Sequence, residues 1–175
     1  MSLRTIEIFG TACPLILGVL LAAPAAAQVV QATVEVQGMS CPFCAFGVEK
    51  RLGKVDGVGA VEIAMKEGRA TVRAREGASI DLAGVPEAVR RAGFTPGRLD
   101  VEAVGVAHRG EGASEPGWVL AVGEEEILLA DLPAALAPRL ADLARRQTSI
   151  RVRGVLRLAV EGRPVLTPVE VEEVR

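Results

Sequence analysis

Cysteine and histidine are scarce in this chain, and each shortage excludes a class of protein. The 175 residues include three cysteines and a single histidine, His108. Three cysteines are too few to hold a small secreted fold together through disulfides. A structural zinc site takes about four Cys or His ligands, whereas the mature chain expected below, without Cys13, keeps only two cysteines and His108. We interpret His108 as a surface residue rather than a ligand.

Basic and aromatic residues are also too few for a nucleic-acid-binding surface. The formal net charge is −2 at pH 7, and aromatic residues make up 3% of the chain. Single-stranded nucleic acid is bound in a basic groove by aromatic side chains that stack on the bases. Trp118 is the only aromatic residue after Phe94. We therefore expect no nucleic-acid partner.

Near its N-terminus the chain contains a long apolar segment. It extends from Ile8 to Ala27 and ends in Ala25-Ala26-Ala27. Small residues at 25 and 27 are typical of a signal-peptidase site, so we predict a signal peptide over 1–27 and a mature periplasmic or secreted chain. About 20 apolar residues also suffice to span a bilayer, so an uncleaved anchor is the alternative. After cleavage we expect no stable membrane insertion.

Cys41 and Cys44 remain in the mature chain, in the segment Gly-Met-Ser-Cys-Pro-Phe-Cys at 38–44. Thiolates prefer soft ions such as Cu(I), although redox proteins use the same C-x-x-C spacing. A strand-like run at 32–37 leads into this segment, and apolar residues at helical spacing follow from Cys44. The pattern predicts a strand-to-helix loop, with Cys44 at the helix N-terminus, where the helix dipole favours a thiolate.

Further elements follow up to Ala103. We predict a hairpin of two strands, Val58–Met65 and Arg69–Ala74, and a fourth strand at Leu99–Ala103. Between them lies a second helix ended by Gly93. The predicted inner face of that helix comprises Ile80, Leu82, Val85, Val89 and Ala92.

The motif and its flanks resemble the heavy-metal-associated domain family, which includes copper chaperones, N-terminal domains of metal-pumping ATPases and the periplasmic mercury-binding protein. The matching residues are the motif at 38–44, then Val48, Glu49, Leu52, Gly57-Val58 and Ala92-Gly93-Phe94. The resemblance covers about residues 30–103. It implies an α+β fold with a ferredoxin-like βαββαβ sandwich over 28–103.

The resemblance also implies a role for each motif residue. Cys41 and Cys44 are the expected metal ligands. Gly38 lets the backbone turn tightly where a side chain would clash. Met39 is expected to pack its thioether inward beneath the loop. Phe94 corresponds to the family position that packs against the metal loop, and a plain core aromatic is the alternative.

Exposed residues around the loop are candidates for partner contact. Phe43 is one, and Lys50, Arg51 and Lys54 are others that would steer an acidic partner; the alternative is the solvated face of a helix. The expected partner is a protein that donates or accepts the metal, such as a metal-transporting ATPase or membrane transporter.

The pattern changes after Ala103. Strand-like runs occur at Val104–Ala107, Trp118–Val122 and Glu126–Ala130, and two more at Ser149–Val160 and Pro164–Val174. Leucines at helical spacing after Asp131 predict one helix among these strands, with Asp131 as its cap, and Pro138 would delay the start of the regular helix. This order weakly resembles a small OB-like β-barrel over 104–175, for which we expect a docking or scaffolding role.

Together these features predict a metal-binding protein that is not an enzyme. The expected ion is Cu(I), with Hg(II) or another soft ion as the alternative, held by Cys41 and Cys44 and transferred by ligand exchange. A thiol-disulfide exchange protein is the main rival. It would require a thioredoxin-type fold with a cis-proline loop, for which Thr95-Pro96 is the nearest candidate. A third hypothesis is a non-catalytic adaptor with oxidised cysteines.

Overall fold

The computed structural model describes residues 27–110, 117–158 and 163–174. The predicted signal peptide, apart from Ala27, lies outside the described residues. Within them, no helix combines the length and the apolar character needed to cross a membrane. In chain order the elements are β1 Gln28–Gln37, α1 Pro42–Leu52, β2 Val58–Ala64, β3 Arg69–Ala74, α2 Gly84–Arg91, β4 Thr95–Arg109, β5 Trp118–Val122, β6 Glu125–Leu129, α3 Ala137–Arg145, β7 Ser149–Leu158 and β8 Pro164–Glu173.

The first part of the chain is a layer of two helices packed on an antiparallel sheet. Its strands lie in the order β2-β3-β1-β4, and α1 and α2 contact both each other and the sheet. Alternating residues of β1 are buried because strand side chains point to opposite faces. The α+β class predicted from the sequence is confirmed. The core includes Val34, Val48, Leu52, Val72, Val85 and Val89.

The second part is a closed five-stranded barrel. Strands β4-β5-β6-β8-β7 pair in that order, and β7 closes the barrel on β4. The helix α3 lies in the chain between β6 and β7, which agrees with the predicted order of strands and helix. Fully buried side chains such as Leu120, Ile127 and Leu140 belong to the core.

One strand, β4, belongs to both parts. Val101 pairs with Ala32 of β1 on one side and with Gly154 of β7 on the other. The prediction of two separate strands that meet between Ala103 and Val104 is therefore wrong. The backbone continues as one strand of 15 residues, because β1 and β7 supply hydrogen-bonding partners on both sides of that point. The division into separate domains at this position stays a prediction.

Other predicted boundaries need smaller corrections. The strand β2 ends at Ala64, and Met65–Glu67 form a 3₁₀ turn. Ile80 and Leu82 are buried as expected but precede α2, which begins at Gly84. Asp131 does not cap α3, because the helix begins only at Ala137 and its N-cap residue is Leu136.

Candidate metal-binding site

The cysteine loop is shaped by the start of α1. The helix begins at Pro42, two residues earlier than the sequence predicts, and Cys41 is its N-cap residue with extended φ and ψ of −132° and 151°. Proline is tolerated in a first turn because the N–H that it lacks has no intrahelical partner there. The amide of Cys44 donates a hydrogen bond to Cys41 Sγ over 3.1 Å. Cys41 Sγ is therefore the sulfur that accepts a hydrogen bond from a free amide at the start of the helix.

Both cysteine side chains are half-buried, and their sulfurs are joined in a disulfide. The Cα atoms of Cys41 and Cys44 lie 5.1 Å apart. The sequence separation alone allowed the two sulfurs to diverge, whereas the fold makes them converge at one end of α1. Metal binding requires thiolates, so this oxidised state must first gain two electrons before the pair can act as ligands.

Gly38 and Met39 connect β1 to this loop. The φ of Gly38 is +83°, in the region that favours glycine. A Cβ at this position would meet no atom of another segment within 4 Å, so glycine is favoured by the positive φ, at which a side chain crowds its own backbone. Met39 is 5% exposed and lies in the core cluster. Its side chain thus packs inward, and its support of a metal loop stays a prediction.

Phe94 is brought to the same end of the sheet by strand pairing. Gln37 pairs with Thr95, which places Phe94 beside Gly38 along the two strands. The ring is half-buried against the core, and the amide of Phe94 donates to the carbonyl of Val89 over 3.1 Å. The position suits both interpretations of Phe94, packing beside the loop and ordinary core packing.

Two phenylalanines project from the first turns of α1. Phe43 is 89% exposed, as expected for a partner contact, and Phe46 is 63% exposed. Phe46 was missed by sequence reasoning. The signal was available, because the buried face of α1 is set by Val48 and Leu52, and residue 46 does not share that face at 3.6 residues per turn. The two rings lie three residues apart, next to the cysteines.

Three cations follow in the last turn of α1 and just after it. Lys50, Arg51 and Lys54 are all exposed, and in the described part of the chain none of them has an ion-pair partner. The first turn of α1 contains no acidic residue. Exposed apolar rings thus lie at the N-terminal end of α1, beside the cysteines, and positive charge without an ion-pair partner lies in its last turn and just beyond it.

The structure offers no third ligand from the residue types that usually complete a metal site. Among the described residues there is no group of three or more Cys, His, Asp or Glu side chains that could hold an ion. His108 lies on β4, 3.6 Å from Glu126, in the barrel. Thr95-Pro96 begins β4 rather than forming a loop, and the described residues contain no cis peptide bond.

Known proteins are similar to the part of the chain that carries the cysteine loop. The sequence profile of the heavy-metal-associated domain matches residues 33–95. The copper chaperone CopZ of Bacillus subtilis (strain 168) is 43% identical over 42 residues, which cover 24% of this chain and 61% of the chaperone. This chain therefore spans about three fifths of that relative's length.

Solved structures that resemble this chain cover the same part of it. A copper-binding domain from HMA7, a P-type ATPase, is 29% identical and covers 39% of this chain and 90% of that domain, with a TM-score of 0.35. Oxidised MerP from Ralstonia metallidurans CH34 is 28% identical and covers 41% of this chain and 96% of MerP, also with a TM-score of 0.35.

Proposed function

Because the profile of the heavy-metal-associated domain matches residues 33–95, we propose that this chain binds one soft metal ion and passes it to another protein. Cys41 and Cys44 are the proposed ligands, Cu(I) is the proposed ion, and Hg(II) or another soft ion is the alternative. The observation that carries the proposal is the convergence of the two sulfurs on one loop at the N-terminus of α1. The similarity to a copper chaperone over 42 residues supports it.

The chemistry of the donor pair favours a soft ion. Thiolates select Cu(I) and similar polarisable ions, whereas Zn(II) in proteins is usually held by four ligands. After reduction, the Cys44 amide and the N-terminal end of the α1 dipole stabilise negative charge on Cys41 Sγ. Lys50 and Arg51, in the last turn of that helix, and Lys54, just after it, offset part of the negative charge of a metal-dithiolate centre.

A site with two protein ligands is also suited to release. An incoming thiolate of an acceptor protein can add to the bound ion as a third ligand, after which one cysteine of this chain leaves. The ion is then handed over by stepwise ligand exchange without ever being free in solution. The protein groups bind and transfer the ion without chemical conversion of a substrate, so the proposed protein is not an enzyme.

The surface around the loop indicates the kind of acceptor. We propose that Phe43 and Phe46 contact an apolar area of the acceptor while Lys50, Arg51 and Lys54 face acidic residues around it. A metal-transporting ATPase or other membrane transporter is the proposed partner class. The barrel is proposed to act as a docking or scaffolding unit that is joined to the first part through β4.

Location and redox state are linked in this proposal. We propose a periplasmic or secreted protein, cleaved after Ala27, so that Gln28 at the start of β1 becomes the first residue. Such compartments are oxidising, and the disulfide between Cys41 and Cys44 is the form expected there without a reductant. A thiol-containing reductant must then supply two electrons and two protons before the ion is loaded.

Anaerobic titration of the reduced chain (residues 28–175) with Cu(I) in the presence of a competing chelator tests the proposal. We expect one tightly bound equivalent for the reduced protein and none for the oxidised protein. Cys41→Ser and Cys44→Ser should each abolish tight binding, whereas Cys-independent binding would contradict the proposal. Disulfide reductase turnover without metal would instead favour the redox alternative, and neither activity would favour the adaptor.

A further inference from the structure

The strand β2 is the free edge of the sheet. Every other described strand has a neighbour on both sides, because the barrel closes through the pairing of β7 with β4. The bulge in β2 lies at its start, between Val58 and Ala60, and pairing with β3 is regular from Ala60 to Ala64. A straight free edge presents unpaired N–H and C=O groups that another strand can use.

A groove of about 360 Å³ runs between this edge and α1. Phe46, which is 63% exposed, forms part of its wall. On the strand side, Gly59 and Ala60 are exposed and small, so the backbone of the edge is accessible to an approaching chain. The remaining lining residues are Glu49, Lys50, Gly53, Val58 and Val61.

The charges in the groove are balanced. Glu49 is its one acid and Lys50 its one base, and neither has an ion-pair partner among the described residues. A partner of one charge sign would gain one favourable contact and one unfavourable contact. A surface that meets an identical surface through a two-fold axis instead sets each acid against the other copy's base.

We propose that the groove and the β2 edge bind a second copy of this chain. The two β2 strands pair antiparallel about a two-fold axis, and the apolar rings at Phe46 of both copies become covered. Glu49 of each copy faces Lys50 of the other. Glu62 does not oppose this arrangement strongly, because Arg73 of its own chain lies 3.1 Å from its carboxylate.

The dimer leaves the proposed metal site open. The Cys41–Cys44 loop follows β1, and β3 lies between β1 and β2 in the sheet. Phe43 does not line the groove and stays available for an acceptor. Self-association and metal binding by the cysteines are therefore separate properties, and either can fail without the other. The dimer does cover Phe46 and Lys50, so it competes with acceptor docking for these two side chains.

Sedimentation analysis of the oxidised chain (residues 28–175) tests the proposal over roughly 1 µM to 1 mM, because interfaces smaller than about 1,200 Å² are typically weak. Wild-type protein is expected to shift from monomer to dimer within this range. Phe46→Ser should move the midpoint at least about tenfold to higher concentration, which corresponds to about 1.4 kcal/mol. The matched control is Phe43→Ser, which should leave the midpoint unchanged.

Charge reversal tests the arrangement itself. Glu49→Lys and Lys50→Glu should each weaken the dimer, and the double variant should restore it. Amide exchange in residues 58–64 should slow as the protein concentration rises, while exchange in residues 149–158 should not change. A wild-type protein that stays monomeric, equal effects of the two phenylalanine variants, or a double variant no better than the single variants would overturn the proposal.

Discussion

Cys41 Sγ accepts a hydrogen bond from the amide of Cys44, 3.1 Å away, and so occupies the place of an N-cap oxygen at the start of α1. A proposed metal ligand is therefore also a structural group of the helix that positions it. The same sulfur that would bind the ion satisfies one of the amides that a helix leaves without an intrahelical partner.

This relationship predicts different costs for two substitutions of Cys41. Serine is a preferred N-cap residue, whereas alanine cannot accept the Cys44 amide. Neither variant can form the disulfide, so that effect is common to both. We expect Cys41→Ala to lower the free energy of unfolding by about 0.5–2 kcal/mol relative to Cys41→Ser. Urea unfolding of both variants under reducing conditions measures the difference, and equal stabilities would contradict a capping role.

Two glycines are predicted to respond in opposite directions to alanine. A Cβ on Gly105 of β4 would run into the carbonyl of Ala121 on β5, so Gly105→Ala should destabilise the protein by about 1–3 kcal/mol. Gly47 lies within α1, and a Cβ there would meet nothing within 4 Å. Gly47→Ala should therefore stabilise it by about 0.5–1 kcal/mol. Denaturant unfolding of both variants checks the signs; destabilisation by both would contradict the packing argument.

The cysteine loop at 38–44 was the part of the molecule that the sequence predicted best. The motif at 38–44 carries a specific combination of residue types, and its flanks show local periodicities that depend only on nearby residues. The strands Arg69–Ala74 and Trp118–Val122 have the bounds that were predicted. The alternation of apolar and polar residues, together with the turn residues on either side, defines such short strands without information from the rest of the fold.

Structural features that depend on contacts between residues far apart in the sequence could not be predicted from local patterns. The continuity of β4 through Ala103 and Val104 depends on pairing with β1 and β7, which are remote in the sequence. The placement of Cys41 as the N-cap residue depends on backbone angles in a short loop, and helix boundaries are poorly defined by periodicity. Both corrections concern where elements begin and end, and neither changes which residues lie at the site.

Acid should weaken one ion-pair cluster at the end of α3. The hydrogen bond from Arg145, followed by the charge of Arg146, lowers the pKa of Asp142. A carboxylate with a lowered folded-state pKa contributes stability above its unfolded pKa of about 3.9, and this contribution is lost as the pH falls through the folded value. Asp142→Asn should lower Tm at pH 7, and the difference from wild type should shrink below about pH 4. Calorimetry across this range measures it, and a difference that does not vary with pH would contradict the assignment.

Because β4 is shared, we expect the two parts of the molecule to unfold together. Trp118 is the only tryptophan and lies in the barrel, so its fluorescence reports on that part, whereas amide exchange in residues 69–74 reports on the first part. Leu120 is fully buried in the barrel, and Leu120→Ala should lower the free energy of unfolding by about 2–5 kcal/mol. If the two parts of the molecule unfold independently, the loss of stability appears only in the unfolding transition measured by Trp118 fluorescence. If the sheet unfolds cooperatively, β4 transmits this loss of stability to the first part, and amide exchange in residues 69–74 accelerates by a corresponding amount.

The converse variant is Val72→Ala, in the core of the first part, which should shift the unfolding transition measured by Trp118 fluorescence in the same direction. If either substitution affects only its own probe, the strand joins the two parts without coupling their stabilities.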